Sequence, residues 1–151
     1  MKDFWEVIKK RKSFRDFKEE KIEREKIEKI LEAGSLAPSA GNIKDYRFFI
    51  VEEKETKEKL AQAALNQRFL AKASIIIVVG SDLEVVYLNY GKRGIELYSI
   101  CDAAAACQNI LLAVEALDLK ACWVGAFDEE RVKEILGLEK QIRPIALIAI
   151  G

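Results

Sequence analysis

One long helix constrains the possible folds of this sequence more than any other feature. The residues from Ile95 to about Leu117 are mostly apolar and predict a single helix, roughly 35 Å long at about 1.5 Å per residue. Its apolar arc is too wide for a surface helix. The arc contains Leu97, Ile100, Ala103, Ala104, Ala106, Cys107, Ile110, Leu111, Ala113, Val114 and Leu117. Because Ala103–Ala106 would let a second backbone come close, we expect this helix at the centre of the domain and of a dimer interface.

Shorter segments predict the remaining helices and strands. Helices are predicted from Asp3 to about Arg11, over Glu23–Ala33, from Lys54 to about Ala64, and between an Asp128 cap and Gly137. Strands are predicted at Tyr46–Val51, Ser74–Gly80, Lys120–Ala126 and Pro144–Ile150. Ser74–Gly80 is continuously apolar, which is typical of a central strand covered on both faces. The irregular order of helices and strands indicates a mixed α/β sandwich rather than a strict βαβ repeat.

Two further segments carry weaker signals. Gly34 follows the second predicted helix, where a left-handed residue often ends a helix. Asp82–Gly94 has little periodicity, so we interpret it as a surface connection that carries Tyr87 and Tyr90 towards the site or a partner. In the first helix we expect Phe4, Val7 and Ile8 to form the apolar side.

Composition limits the classes of protein that are possible. The 151 residues fit one domain, 1–151, and the 25 basic residues balance the 25 acidic residues, so we expect no nucleic-acid partner. The longest uninterrupted apolar runs, Ile75–Val79 and Ile145–Ile150, are far shorter than the roughly 20 residues that span a bilayer. No secretory signal precedes the first charged helix, so we expect a cytoplasmic protein with no membrane partner.

The chemistry available to the side chains is also restricted. The chain has no histidine, which excludes histidine-dependent nucleophiles and every zinc site that needs imidazole. We expect no metal. The three cysteines, Cys101, Cys107 and Cys122, lie in apolar segments and are interpreted as buried small residues. No phosphate-binding loop or dinucleotide-binding glycine motif occurs. An enzyme with this sequence must use carboxylates and lysines or take its chemistry from a cofactor.

A basic segment follows the first predicted helix. Arg11-Lys12-Ser13-Phe14-Arg15 places three cations and a hydroxyl within five residues. If the segment is extended, Arg11, Ser13 and Arg15 point one way and Phe14 points into the core. Guanidinium groups in this arrangement suit a phosphate monoester. The alternative is that these cations only complement the dipole at the end of the helix.

A loop of small residues follows the second predicted helix. Ala37-Pro38-Ser39-Ala40-Gly41-Asn42 would let backbone amides approach a flat ligand closely, although such a stretch is also compatible with an ordinary turn. Together, the basic segment and this loop resemble the opening of the FMN-dependent nitroreductase family. Asp102–Ala113, continuing to Cys122-Trp123-Val124-Gly125, is similar to that family's central helix and the strand end after it. Asn66-Gln67-Arg68 resembles the segment that supplies an amide side chain to the flavin.

The resemblance implies a three-layer fold with a mixed, mainly antiparallel sheet flanked by helices around a long central helix. It implies a homodimer with FMN at its interface. Hydride would pass from NADH or NADPH through flavin N5 to an electron-poor small molecule such as a nitroaromatic compound or quinone, and no side chain is assigned as catalytic. The cofactor-binding residues implied are Arg11, Lys12, Ser13, Arg15, Pro38, Ser39, Ala40, Asn42, Asn66, Gln67, Trp123, Val124 and Gly125.

These residues have different implied roles. The basic segment would hold the phosphate and ribityl chain, the small-residue loop would line the isoalloxazine, often from the other subunit, and Asn66 or Gln67 would reach ribityl or ring oxygens. Backbone amides around Val124 and Gly125 would face N5. For Trp123, as for Gln108 and Asn109, packing is the alternative, and for Asp102 we favour a structural role.

The sequence also departs from the family pattern. Lys44-Asp45-Tyr46 stands where many relatives have Gln-Pro-Trp, which indicates a different substrate side of the loop. The chain ends at Gly151, near where relatives continue into an arm, so weaker FMN retention and a smaller subunit interface are expected. A flavin-binding or regulatory module without turnover, and a structural dimerisation domain, remain as alternatives.

Overall fold

The computed structural model describes residues 2–151. Its α-helices are α1 (Phe4–Lys10), α2 (Arg24–Ser35), α3 (Lys54–Ala63), α4 (Phe69–Lys72), α5 (Leu83–Arg93), α6 (Ser99–Ala116) and α7 (Glu129–Leu136). Its strands are β1 (Tyr46–Val51), β2 (Ile75–Asp82), β3 (Ala121–Val124) and β4 (Ile142–Ile150). A 3-10 turn covers Ala40–Asn42, and a π-helical turn covers Gly94–Tyr98 between α5 and α6.

The four strands form one sheet in the order β1-β2-β4-β3, and every adjacent pair is antiparallel. A single parallel bridge adds Ser13 beside Ala121 at the β3 edge. β2 lies inside the sheet, and its residues Ile75 to Gly80 are all buried, which confirms the prediction of a central strand.

Alternate residues of the two inner strands serve two separate cores. Ile75, Ile77 and Val79 pack with α2 and α6 on one face, whereas Ile76 and Val78 pack with α3, α4 and α7 on the other. Each face needs its own apolar set because successive strand side chains point to opposite sides. The result is the expected three-layer arrangement of helices, antiparallel sheet and helices, so the predicted fold class is confirmed.

The central helix has the bounds that the sequence predicts, because the π-helical turn Gly94–Tyr98 runs directly into α6. α5 precedes it and is broken at Gly91, where φ is 59° and ψ is -145°. Taken together, the helical residues Leu83–Ala116 are by length and composition alone long and apolar enough to cross a membrane. α6 instead packs against the sheet, with Ala103, Cys107 and Ile110 fully buried, so it is the core helix of a soluble fold. At the other end of the predicted arc, Leu97 and Ile100 are exposed.

Two local predictions were wrong. The segment interpreted as a surface connection is helix α5. Asp82 is its N-cap, and the Asp82 side chain accepts a hydrogen bond from the Val85 amide. Gly34 does not end α2 but lies buried inside it. A Cβ at this position would sit 2.9 Å from the Phe48 ring and 3.0 Å from Ile110. Gly34 therefore serves close packing between α2, β1 and α6 rather than a left-handed turn.

The remaining predictions agree with the structure at some residues and disagree at others. Cys107 and Cys122 are buried, but Cys101 is exposed, which contradicts its interpretation as a core residue. In α1 only Val7 is buried, whereas Phe4 and Ile8 are exposed. α7 matches its prediction, because Asp128 caps its first turn and Gly137 ends it with a φ of 60°.

Candidate functional site

The basic segment lies along the β3 edge of the sheet. The Phe14 amide donates to the Ala121 carbonyl at 2.9 Å, and Ser13 forms the parallel bridge to the same residue. Phe14 packs on the second core, against Phe17, with their ring centroids 5.4 Å apart. The backbone is therefore extended here, and Phe14 turns inward, as the alternation predicted.

The cations of this segment remain available to a ligand. Lys12, Ser13 and Arg15 are exposed and Arg11 is partly buried. Within residues 2–151, no carboxylate lies within ion-pairing distance of Arg11, Lys12 or Arg15. Two guanidinium groups, an ammonium and a hydroxyl so close together can hold a phosphate by charge-assisted hydrogen bonds.

A second predicted segment meets the basic segment. The Arg15 guanidinium lies 5.9 Å from the centroid of the Phe69 ring, just after the Asn66-Gln67-Arg68 stretch. The Gln67 side-chain amide donates to the carbonyls of Ala64, at 2.9 Å, and Ala126, at 3.4 Å. The tertiary structure thus joins the amide-bearing stretch both to Arg15 and to the strand end after β3.

The strand end presents free backbone amides. Within residues 2–151, neither the Gly125 nor the Ala126 amide donates a hydrogen bond. Both residues are exposed, and a Cβ built on Gly125 would meet only the Trp123 Nε1 atom, at 3.9 Å. Gly125 is therefore not required by local packing, and these amides can approach a ligand. We call the grouping of Arg11–Arg15, Gln67–Phe69 and Val124–Ala126 the basic corner.

The thiol near the basic corner is not set up as a nucleophile. Burial raises the pKa of Cys122, and this effect exceeds the opposing influence of the Arg15 charge and of Ser13. A neutral buried thiol is a weak nucleophile. The side-chain chemistry of the corner is consequently that of binding rather than of covalent catalysis.

The small-residue loop is held by contacts of a different kind. The Ala40 amide donates to both carboxyl oxygens of Asp102, at 3.0 and 3.1 Å, and the Lys44 amide donates to the Ser39 hydroxyl at 2.9 Å. This confirms the structural role favoured for Asp102. It also means that the Ala40 amide is already engaged, so Ala40 can line a ligand only through its small side chain.

Tight backbone geometry accompanies these bonds. Gly41 has a φ of 56°, and a Cβ there would lie 2.1 Å from the Tyr90 hydroxyl. Asn42 and Lys44 also adopt positive φ values, of 57° and 47°. Tyr90, placed by helix α5, therefore packs directly on the loop.

A buried carboxyl pair lies beneath the loop. Asp45 is completely buried and accepts a hydrogen bond from the Ser81 hydroxyl, while Asp102 is nearly buried at the first turn of α6. The pKa of Asp102 is raised to about 7, mainly by burial and then by hydrogen bonding with Asp45, while the hydrogen bond from the Ala40 amide acts in the opposite direction. We call the grouping of Pro38–Asn42, Asp45, Tyr90 and Asp102 the loop corner.

The two corners are far apart within one chain. Tyr46 opens β1 opposite Ser81, which pairs with Arg143, whereas Ala121 opens β3 opposite Ile150. With strands about 4.8 Å apart and residues about 3.4 Å apart along them, Ala121 beside the basic segment lies roughly 25 to 30 Å from Tyr46 across the sheet, and Val124, opposite Leu147, lies roughly 20 Å from it. The chain therefore brings together nine of the predicted ligands in and around the basic corner, but not Pro38, Ser39, Ala40 and Asn42 with them. The nine are Arg11, Lys12, Ser13, Arg15, Asn66, Gln67, Trp123, Val124 and Gly125.

Several residues of the site were not found by sequence reasoning. Phe69 lacks any local motif, and its role depends on a contact with Arg15 from a distant segment. Tyr90, which was expected near the site or a partner, lies against Gly41. Asp45 was noted only as a departure from the family pattern. Its burial next to a second carboxyl could not be inferred from spacing. For Asn109 the packing alternative holds, because its amide donates to the Ala33 carbonyl at 3.0 Å.

Comparison with known proteins identifies the family of this chain. The sequence profile of the Nitroreductase family matches residues 8–68 and 63–151. A protein of Archaeoglobus fulgidus, provisionally named NADH dehydrogenase/NAD(P)H nitroreductase, is 34% identical over 155 aligned residues, covering 100% of this chain and 86% of the relative.

Two further relatives extend the comparison. The FMN reductase (NADPH) of Bacillus subtilis is 26% identical, over 97% of this chain and 64% of its own length. The crystal structure of a nitroreductase family protein from Clostridium novyi superposes with a TM-score of 0.90 at 30% identity, covering 99% of this chain and 84% of that one. Fold, motifs and family profile therefore lead to one conclusion: this chain belongs to the nitroreductase family and is an oxidoreductase.

Proposed function

We propose that this chain is a cytoplasmic, homodimeric FMN-dependent oxidoreductase that takes hydride from NADH or NADPH and reduces an electron-poor acceptor such as a nitroaromatic compound or a quinone. The observation that carries the proposal is the basic corner, where three segments distant in sequence meet around unpaired cations and free amides. The names of the relatives, which include an FMN reductase, support the same cofactor. Three unbridged cysteines fit a reducing compartment.

The basic corner suits the phosphate end of FMN. Arg11, Lys12 and Arg15 lack carboxylate partners in the described chain, so a phosphate dianion would not have to displace an internal ion pair. The Ser13 hydroxyl adds a donor, and its backbone is anchored on β3. Anchoring matters because a pre-positioned ligand loses less entropy on binding.

The strand end suits the flavin ring. When bound, FMN would supply the hydride chemistry through N5. The amides of Gly125 and Ala126 would donate hydrogen bonds to the ring edge, and the missing side chain at Gly125 leaves room for that approach. Trp123, whose indole nitrogen lies near Gly125, would limit access of water on one side.

A second copy of the chain would complete the site. The loop corner lies too far from the basic corner to reach the same ligand within one chain, so its residues would act on the flavin of the partner. An apolar groove of about 420 Å³, lined by residues of α1, α2 and α6 and by Leu36 just after α2, offers a surface for pairing. Phe4, Trp5 and Leu36 are more than half exposed in the single chain, as expected of side chains that a partner covers.

The first test is spectroscopic. Freshly purified protein should show a flavin absorbance spectrum, and the released cofactor should have the mass of FMN. Under anaerobic conditions NADH or NADPH should bleach the flavin, and a quinone should restore its colour. Bound FMN that neither nucleotide bleaches would instead indicate a binding module without turnover, and a protein that stays colourless after incubation with FMN would indicate a structural domain.

A complementation experiment tests the shared site. Arg15→Glu would disable the basic corner, and Ser39→Trp would fill the space that the small-residue loop leaves for the ring. Neither variant should retain FMN as a homodimer. Mixed dimers of the two should recover about half of the wild-type FMN content, because one of their two sites combines an intact basic corner with an intact loop corner. Recovery of no FMN in the mixed dimers would contradict the shared site.

A further inference from the structure

The carboxyl groups of Asp45 and Asp102 are buried together without a compensating cation. Asp45 is 0% exposed and Asp102 is 6% exposed. Within residues 2–151, neither is part of an ion pair. Two neighbouring buried carboxylates cannot both be ionised without strong repulsion and loss of solvation.

The hydrogen bonds around the pair leave a place for one proton. Ser81 donates to one oxygen of Asp45, while the other oxygen, Oδ1, is buried and has no hydrogen-bond donor. Asp102 accepts the Ala40 amide, and hydrogen bonding with Asp45 is among the causes that raise the pKa of Asp102. A proton on Asp102 would supply the missing donor for Asp45.

Other polar and charged groups near the pair do not replace that proton. On β1, the Tyr46 hydroxyl donates to the carbonyls of Ser35 and Ala37, and Arg47 is paired with Asp82 of β2. From α5, Tyr90 faces Gly41, and Lys44 of the loop is exposed.

We propose that Asp45 and Asp102 hold a single proton between them and that this proton locks residues 37–44, which include the small-residue loop, to the central helix. The two carboxyls are positioning residues, since they act on the loop through the Ala40 amide and through the backbone at Asp45. Loss of the proton places two negative charges side by side and weakens the attachment of the loop to α6. The loop is therefore held most firmly at acidic pH and loosens as the pair ionises.

Hydrogen exchange of the Ala40 amide tests the lock in the full chain without added flavin. After correction for the intrinsic exchange rate, protection in the wild type should fall by up to about tenfold per pH unit between about pH 5 and pH 7, because the locked state holds a proton that the open state releases. Asp102→Asn should abolish this slope, since Asn accepts the Ala40 amide and donates to Asp45 without titrating. Asp45→Asn should also abolish the slope, because its side-chain amide would donate to Asp102 in place of the shared proton.

A neighbouring carboxylate provides the matched control. Asp82→Asn removes a charge near the loop but keeps a good helix cap for α5, so the wild-type slope should persist. Infrared spectroscopy provides a check that needs no variant to fold: the wild type should show a buried protonated carboxyl band at pH 5 that disappears as the pair ionises. Protection at Ala40 that does not depend on pH, or an equal slope in Asp102→Asn, would overturn the proposal.

A second measurement rests on the proposed function. If the loop lines the flavin of the partner subunit, FMN affinity should decline over the same pH range in the wild type and stay nearly constant in Asp102→Asn. A pH-dependent lock without any change in FMN affinity would leave the shared proton in place and remove the loop from the flavin site. The two claims can thus fail separately.

Discussion

The two corners of the sheet are built in opposite ways. At the basic corner, cations and backbone amides have few internal partners and point outward, with Gly125 open to solvent. At the loop corner, the Ala40 amide, the Ser39 hydroxyl and one carboxyl oxygen of Asp45 form hydrogen bonds within the chain. Under the proposed function, the basic corner would provide binding energy to a ligand, whereas the loop corner would provide a preformed shape.

Charge reversal at the basic corner should have the largest effect. Arg15→Glu replaces an attraction to the FMN phosphate by a repulsion, and hydrogen bonds to charged groups contribute about 1.5 to 3 kcal/mol. We expect FMN affinity to fall on the order of a hundredfold, measured by fluorescence titration. Lys140→Glu makes the same charge change on an exposed residue of the turn before β4 and should leave affinity unchanged. Equal losses in both variants would show a general charge effect instead of a phosphate contact.

The glycines of the two corners should respond differently to an added methyl group. Gly41→Ala places a Cβ against the Tyr90 hydroxyl at a positive φ, so it should destabilise the fold by about 2 kcal/mol. Gly125→Ala has no contact closer than 3.9 Å and should change the free energy of unfolding by less than about 0.5 kcal/mol. Urea denaturation measures both.

Removal of the Tyr90 hydroxyl oxygen tests whether its clash with the added Cβ contributes to the loss of stability in Gly41→Ala. Adding Tyr90→Phe to Gly41→Ala should restore part of the lost stability, because it relieves the clash and leaves the backbone strain. If Gly41→Ala changed the free energy of unfolding as little as Gly125→Ala, the loop corner would not be rigid.

Global stability should depend on pH through the loop corner. The pKa of Asp102 is raised to about 7 in the folded protein, so the fold favours the protonated form. That stabilisation is complete below the pKa of the unfolded chain and is lost as pH rises through about 7. We expect the free energy of unfolding to fall by about 1 to 2 kcal/mol between pH 5 and pH 8, relative to Asp102→Asn over the same range. Parallel pH profiles of the two proteins would exclude this contribution.

The smallest effect is expected at Gln67, which links two parts of the basic corner. Gln67→Leu removes the hydrogen bonds to Ala64 and Ala126 and should reduce the free energy of unfolding by about 1 kcal/mol. Asn66→Gly keeps the positive φ of that position and is the control that should leave stability nearly unchanged. Loss of FMN affinity in Gln67→Leu without loss of stability would identify Gln67 as a ligand and not as a support of the strand end.

Much of the fold was predictable because its signals are local. The continuous apolar run of β2, the Asp128 cap and the terminal Gly137 of α7 all depend on residues close together in sequence. Periodicity failed at α5, where the apolar pattern is weak although Asp82 caps the helix. It also failed to separate the buried part of the long helix from its exposed end at Leu97 and Ile100, because an apolar residue has the same pattern in either position.

By itself, the sequence determined the order of helices and strands, the central position of β2, and the basic and small-residue segments that carry the family resemblance. Only the tertiary structure decided that those two segments lie at opposite corners, that Gly34 is a packing residue, and that Asp45 meets Asp102. The physical reason is range: caps and periodicity act within a few residues, whereas these contacts join segments tens of residues apart and exist only once the sheet has brought them together.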